Sequence, residues 1–114
     1  MEIILSSNTA KICVIGIWHL GSVVSACLAD MGYSIVGVDK DGERVEKLNH
    51  GIPPLYEPDL DHLLKKNIEL KRLKFTTDLG SAVKGTRYVL ITFDTPVDAL
   101  DEVDTSEILS LIHI

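Results

Sequence analysis

Three residues in the first third of the chain have the types and the spacing to hold a phosphorylated ligand: Gly16, Gly21 and Asp39. Glycines at the two ends of a tight turn let backbone N–H groups at a helix start converge on an anion, with the positive end of the helix dipole behind them. Asp39 lies eighteen residues past Gly21, where the acid that reads a ribose is expected. Its carboxylate can accept from both ribose hydroxyls and would repel a 2′-phosphate. A pyrophosphate seat followed by a ribose acceptor is half of a dinucleotide site, and the acid favours NAD over NADP.

The turn itself is Gly16-Ile17-Trp18-His19-Leu20-Gly21, and all six residues are candidate cofactor contacts. The usual fingerprint is G-x-G-x-x-G, with the second glycine allowing the backbone close to the pyrophosphate. Trp18 stands at that second position. Two readings of it are open: the ring packs over the loop without touching ligand, or it narrows the pyrophosphate site and weakens binding. His19 either faces the cofactor or is a loop residue without a catalytic role. Arg44, five residues past Asp39, is either a cofactor contact or a solvated helix residue.

These groups need a scaffold, and the hydrophobic pattern supplies one. Ile12, Cys13, Val14 and Ile15 form the short continuous apolar run of a strand buried on both faces. From Leu20, the apolar residues Val23, Val24, Cys27, Leu28 and Met31 recur at intervals of three and four, which predicts one apolar stripe on a helix. Gly32 follows as its terminating residue. Residues 34–38 are a second apolar run ending at Asp39, which makes a right-handed βαβ unit.

Further along, Asp41 can cap a helix carrying Val45 and Leu48 and closed by Gly51. Three prolines keep residues 52–58 (IPPLYEP) out of regular structure. Pro58 suits the first position of a helix bearing Leu60, Leu63 and Leu64. Residues 73–76 read as a strand, Asp78 as the cap of a short helix with Leu79, Ala82 and Val83, and residues 88–92 as a fourth strand. An acidic loop with Thr95-Pro96 follows, and Thr105 or Ser106 can cap a last helix with Ile108, Leu109 and Ile112. The pattern β-α-β-α-α-β-α-β-α predicts an α/β, doubly wound parallel Rossmann-like sheet, incomplete at about four strands, in the order 3-2-1-4. Gly16, Asp39 and Thr95 would share one rim of it.

Composition narrows the function classes. The 114 residues carry 46% hydrophobic residues, enough for one small globular domain. Eleven basic against seventeen acidic residues give a net charge of −6. With no basic patch, nucleic acid and anionic membranes are not expected partners. No apolar run reaches transmembrane length. Cys13 and Cys27 fall in the core pattern and read as small buried hydrophobes in a reducing, cytoplasmic setting rather than as a disulfide or metal pair. His50, His62 and His113 do not have metal-ligand spacing.

Several separate segments resemble the UDP-glucose/GDP-mannose dehydrogenases at their N-terminal NAD-binding domain. They are KICVIG with ACLADMGYSIVGVD, Arg44-Val45 with Leu48-Asn49-His50-Gly51, Pro53 followed by Tyr56-Glu57-Pro58, LKFTTDLGSAVKG, and Thr95-Pro96. A related turn, G-L-W-H-L-G, occurs in that family. The resemblance implies oxidation of the C6 hydroxyl of a nucleotide sugar to a carboxylate with two NAD, through an aldehyde and cysteine-bound intermediates, in polysaccharide biosynthesis. It places Gly16 and Gly21 at the pyrophosphate, Asp39 at the adenosine ribose, Arg44 beside it, and Thr95 on the cofactor from the loop after strand four.

In that family the chain continues with two further strands, a helical middle domain and a sugar-binding domain that hold the catalytic cysteine. The expectation is therefore an N-terminal leader or extra strand over residues 1–10 and a truncated NAD-binding domain over 11–114. It would bind NAD, meet a nucleotide sugar only with the missing domains, form a homo-oligomer through exposed sheet, and lack catalytic residues of its own. The competing readings are a non-catalytic nucleotide-binding or oligomerisation module, and a relative of the 3-hydroxyacyl or 6-phosphogluconate dehydrogenases. The IPPLYEP segment and Thr95-Pro96 favour the nucleotide-sugar dehydrogenases over the latter.

Overall fold

Four short apolar runs pair side by side because each must satisfy its backbone within a sheet. The two inner ones, residues 11–15 and 34–38, are buried at four of their five positions, whereas residues 88–91 are exposed throughout. The computed structural model of the chain describes residues 10–92. Its strands are β1 (Lys11–Ile15), β2 (Ser34–Val38), β3 (Leu73–Thr76) and β4 (Tyr88–Ile91). All three pairings are parallel, and the order is β3-β2-β1-β4, as the pattern predicts. The helices are α1 (His19–Asp30), α2 (Gly42–Asn49), α3 (Leu60–Glu69) and α4 (Leu79–Val83). The expected leader, the last helix, the acidic loop and His113 lie outside the described residues.

Alternation along β1 splits the core in two. Ile12 and Val14 face a larger cluster with Ile35, Leu73 and Phe75, closed by Ala26 and Ala29 of α1, Val45 and Leu48 of α2, and Leu60 and Leu64 of α3. Cys13 and Ile15 face a smaller one with Val36, Val38 and Ala82 of α4. Burial pushes the Cys13 thiol up to about 11, so it stays protonated and unreactive near neutrality.

The face of α1 is the largest departure from the sequence pattern. The helix buries Gly21, Ser22, Ser25, Ala26 and Ala29, whereas Leu20 and Met31 of the expected stripe are exposed, Met31 by 70%. Val23 and Leu28 pack only at the margin of the core. Cys27, expected in the interior, is exposed. The cause is distance. α1 runs so close to the sheet that only small side chains fit beneath it, and bulkier ones are turned outward. Helix α1 does end as expected, with Gly32 at φ 106° and the Gly32 and Tyr33 N–H groups donating back to Ala29 and Leu28.

The cap residues behave as their chemistry dictates. Asp41 accepts from the N–H groups of Glu43 and Arg44, and Asp78 from that of Ser81. The start of α3 differs from expectation. Asp59 takes a left-handed conformation at φ 68°, so the helix begins at Leu60 rather than Pro58. At the far end of α1, Asn67 is buried and binds three elements together. It donates to Asp30 and to the Leu63 carbonyl and accepts two bonds from Arg72. Bonds from Lys66 and then Asn67 hold the Asp30 carboxyl below its ordinary value.

Asn49 protects the β3 edge. Its amide donates to the Phe75 carbonyl at 2.9 Å and accepts from the Phe75 N–H at 3.0 Å, which reproduces the pairing of an adjacent strand. Asn49→Ala removes both bonds. The expected loss is roughly 1–3 kcal/mol, two bonds' worth, read as a lower urea midpoint with an unchanged slope. An unaltered midpoint would show that water substitutes fully for the amide.

Candidate functional site

Gly16 ends β1 at φ 89°, and its N–H donates to the Val38 carbonyl at 2.9 Å. The turn therefore leaves the sheet pinned to the end of β2. Ile17 is fully buried in the larger core cluster, and its N–H donates to Asp39 Oδ2 at 3.2 Å. What Ile17 contributes is position: it ties the turn to the ribose-type acid. Thr92, just beyond β4, closes the other side. Its N–H donates to the Ile15 carbonyl at 2.9 Å, and its hydroxyl lies against the carbonyls of Ile15 and Gly16. Sequence reasoning treats Thr92 only as the end of a strand; a hydroxyl at the last position of a central run is the signal that could have marked it.

Trp18 is the residue before α1, at φ −74°, and is 50% exposed. That φ is negative, outside the left-handed region that favours the glycine of the fingerprint. No side chain caps α1, and its first turn holds no acid. The N–H groups of His19, Leu20 and Gly21 precede the first helical bond, from Ser22 N–H to the Trp18 carbonyl, and so remain donors at a positive dipole end. α2 and α4, by contrast, have their first donors taken by aspartates. Leu20 is exposed beside this helix end. His19 leans away: its Nε2 lies 3.3 Å from the Glu57 carboxylate, joining the turn to the proline-rich segment.

Asp39 lies at the carboxyl end of β2 with its side chain only 12% exposed. Oδ2 accepts from Ile17 N–H and from Arg44 Nη1 at 3.1 Å, and Oδ1 from Asp41 N–H at 3.0 Å. Arg44 also places its Nη2 3.6 Å from Asp41 and lies over the Trp18 ring, 4.7 Å from its centroid. The structure thus brings together the whole turn, Asp39 and Arg44. It places Trp18 against Arg44, on the α2 side of the turn. Thr95 lies outside the described residues. No metal-ligating cluster occurs among the described residues.

The parts fit a dinucleotide. Uncapped donors, in a helix whose own first turn carries no acid, mark the phosphate position, a preoriented carboxylate marks the ribose position, and both stand at the carboxyl ends of a parallel sheet in the order 3-2-1-4. Fold and site define a dinucleotide-binding domain of the Rossmann type.

The chain belongs to the UDP-glucose/GDP-mannose dehydrogenase family, whose NAD-binding domain matches residues 10–113. It is 36% identical over 101 residues to UDP-glucose 6-dehydrogenase of Pseudomonas aeruginosa, covering 89% of this chain and 22% of that one. It is 43% identical over 86 residues to UDP-glucose 6-dehydrogenase of Rhizobium meliloti, covering 75% and 20%. Among solved structures, a UDP-glucose dehydrogenase from Pyrobaculum islandicum superposes with a TM-score of 0.87 at 28% identity, over 96% of this chain and 26% of that one. The chain spans about a fifth of the length of the relatives it matches. NAD is the cofactor of this domain.

Proposed function

We propose that the chain is the NAD-binding portion of a nucleotide-sugar 6-dehydrogenase of the UDP-glucose to UDP-glucuronate type. The observation that carries this is the tie between the glycine turn and Asp39 through the Ile17 N–H, in a chain similar to UDP-glucose 6-dehydrogenases. NAD, when bound, supplies the hydride acceptor. The chain's own residues bind and orient it: the α1 N–H groups of the turn from Gly16 to Gly21 take the pyrophosphate, Asp39 takes the adenosine ribose and Arg44 flanks it. For Thr95, outside the described residues, the family resemblance alone carries the assignment to the cofactor.

The chain alone is inactive in this reading. Cys13, buried and with its thiol raised to about 11, is unsuited to attack an aldehyde, and Cys27 lies on the outer side of α1, away from the turn. The nucleotide sugar engages only with the remaining domains. The protein works in the cytoplasm, in polysaccharide biosynthesis. Its apolar surface at Leu20, Met31 and the four exposed residues of β4 supports association into a homo-oligomer.

Calorimetric titration tests the reading, with sedimentation run on the same sample. NAD is expected to bind at least tenfold more tightly than NADP, an arbitrary but resolvable margin of about 1.4 kcal/mol, and the chain to sediment above monomer mass. Equal affinity for the two cofactors would remove the assigned role of Asp39. A monodisperse monomer would remove the oligomer.

A further inference from the structure

One peptide unit of the turn is held from both sides. Between Gly16 and Ile17 the N–H donates to Asp39 Oδ2 at 3.2 Å, and the Gly16 carbonyl accepts from the Thr92 hydroxyl. The N–H and C=O of a planar trans peptide point in opposite directions, so the two bonds together fix its rotation. A hydroxyl has one proton to give. The other carbonyl within its reach, that of Ile15 at 3.1 Å, already accepts the Thr92 N–H at 2.9 Å, which leaves the proton for Gly16.

Gly16 makes such a restraint necessary. It stands at φ 89° and has no β-carbon, so the peptide that follows it can turn over at little steric cost. Turned over, that unit would set a carbonyl oxygen against the Asp39 carboxylate and take a donor away from it. Thr92 is in place to prevent this because of the sheet register. Ile15 pairs with Ile91, so residue 92 is the first beyond β4 and lies level with the start of the turn.

We infer that Thr92 is a positioning residue for NAD: its hydroxyl locks the Gly16–Ile17 peptide in the orientation that anchors Asp39 for the ribose. It acts through that peptide and not by contact with the cofactor. The inference rests on the NAD-binding reading. It makes the carboxyl end of β4, the strand beyond β1 in the sheet order, a working part of a site otherwise built from β1, α1 and β2.

Thr92→Val keeps the shape of the side chain and removes the hydroxyl; Thr92→Ser keeps the hydroxyl and removes a methyl group. The intact chain and both variants are titrated calorimetrically with NAD, and hydrogen exchange of the Ile17 amide is followed by NMR without ligand. Thr92→Val is expected to weaken NAD on the order of tenfold, the upper end for one lost hydrogen bond, and to speed Ile17 exchange. Thr92→Ser should keep most of the affinity and of the protection. Asn49→Ala, which acts on the β3 edge of the sheet, controls for destabilisation alone and should leave NAD affinity unchanged. Circular dichroism confirms that each variant is folded. Unchanged affinity or unchanged Ile17 exchange in Thr92→Val, or equal weakening in Thr92→Ser or Asn49→Ala, overturns the positioning role and leaves the NAD reading standing. No binding of NAD by the folded parent chain overturns both.

Discussion

A Gly21→Ala chain is expected to lose about 3 kcal/mol or more of stability, the upper range for forcing an atom into a packed interior. A β-carbon at Gly21 would stand 1.9 Å from the Gly16 carbonyl oxygen, 2.6 Å from Thr92 Oγ1 and 2.9 Å from the Gly16 carbonyl carbon. Two of these three atoms are backbone, in a turn already fastened to Val38 and Thr92, and cannot rotate aside. α1 would have to lift from the sheet, opening the contacts of Ala26 and Ala29. Against a total stability of roughly 5–15 kcal/mol for a domain, that is a large share. Gly80→Ala is the control. Its β-carbon would meet nothing nearer than Asp78 Oδ1 at 3.8 Å, so the helix-propensity gain of up to about 1 kcal/mol should appear unopposed. Urea unfolding of the two variants side by side checks this. Equal midpoints would mean that α1 does not press on the turn.

Asp39→Ala is expected to weaken NAD by on the order of a hundredfold or more, as two ribose hydroxyls lose a charged acceptor worth about 1.5–3 kcal/mol per bond. The same change strips the acceptor from the Ile17 N–H and breaks the nearer of Arg44's two ion pairs, leaving the one to Asp41. Arg44 then stands beside the ribose position with no neighbouring carboxylate at residue 39. The preference for NAD over NADP should therefore fall or reverse, since a 2′-phosphate would meet an arginine in place of an aspartate. Paired titrations of parent and variant with both cofactors read both effects. Loss of NAD affinity with the NAD/NADP ratio unchanged would show that Asp39 acts only by shaping the turn. A double variant that also carries Arg44→Ala separates the gain for NADP from simple loss of the acid.

Local chemistry made much of this protein legible in one dimension. The glycines of the turn, the aspartate at the end of the next strand, and Asp41 and Asp78 as caps each act on backbone within a few residues or at the end of an adjoining strand. Their roles follow from residue type and spacing. The strand order follows too, because four apolar runs alternating with helices leave few ways to wind a parallel sheet.

Other features depended on what the folded chain brings within a few ångströms. Periodicity marks the apolar residues of α1 but is blind to how near the sheet lies, and at Gly21 that distance excludes even a methyl group. The buried face thus went to Ser22, Ser25, Ala26 and Ala29, and Cys27 was turned outward. Asn49 and Phe75 are 26 residues apart, and Thr92 and Gly16 are 76; no local pattern couples them. Whether Trp18 meets solvent, phosphate or Arg44 was likewise undecided until α2 set Arg44 over its ring. Among the described residues, the sequence by itself determined the strands and helices, the aspartate caps of α2 and α4 and the strand order, because those are short-range backbone chemistry. The tertiary structure alone decided which face of α1 is inside and which side chains meet across the chain, because packing distance is a property of the assembled sheet and helices.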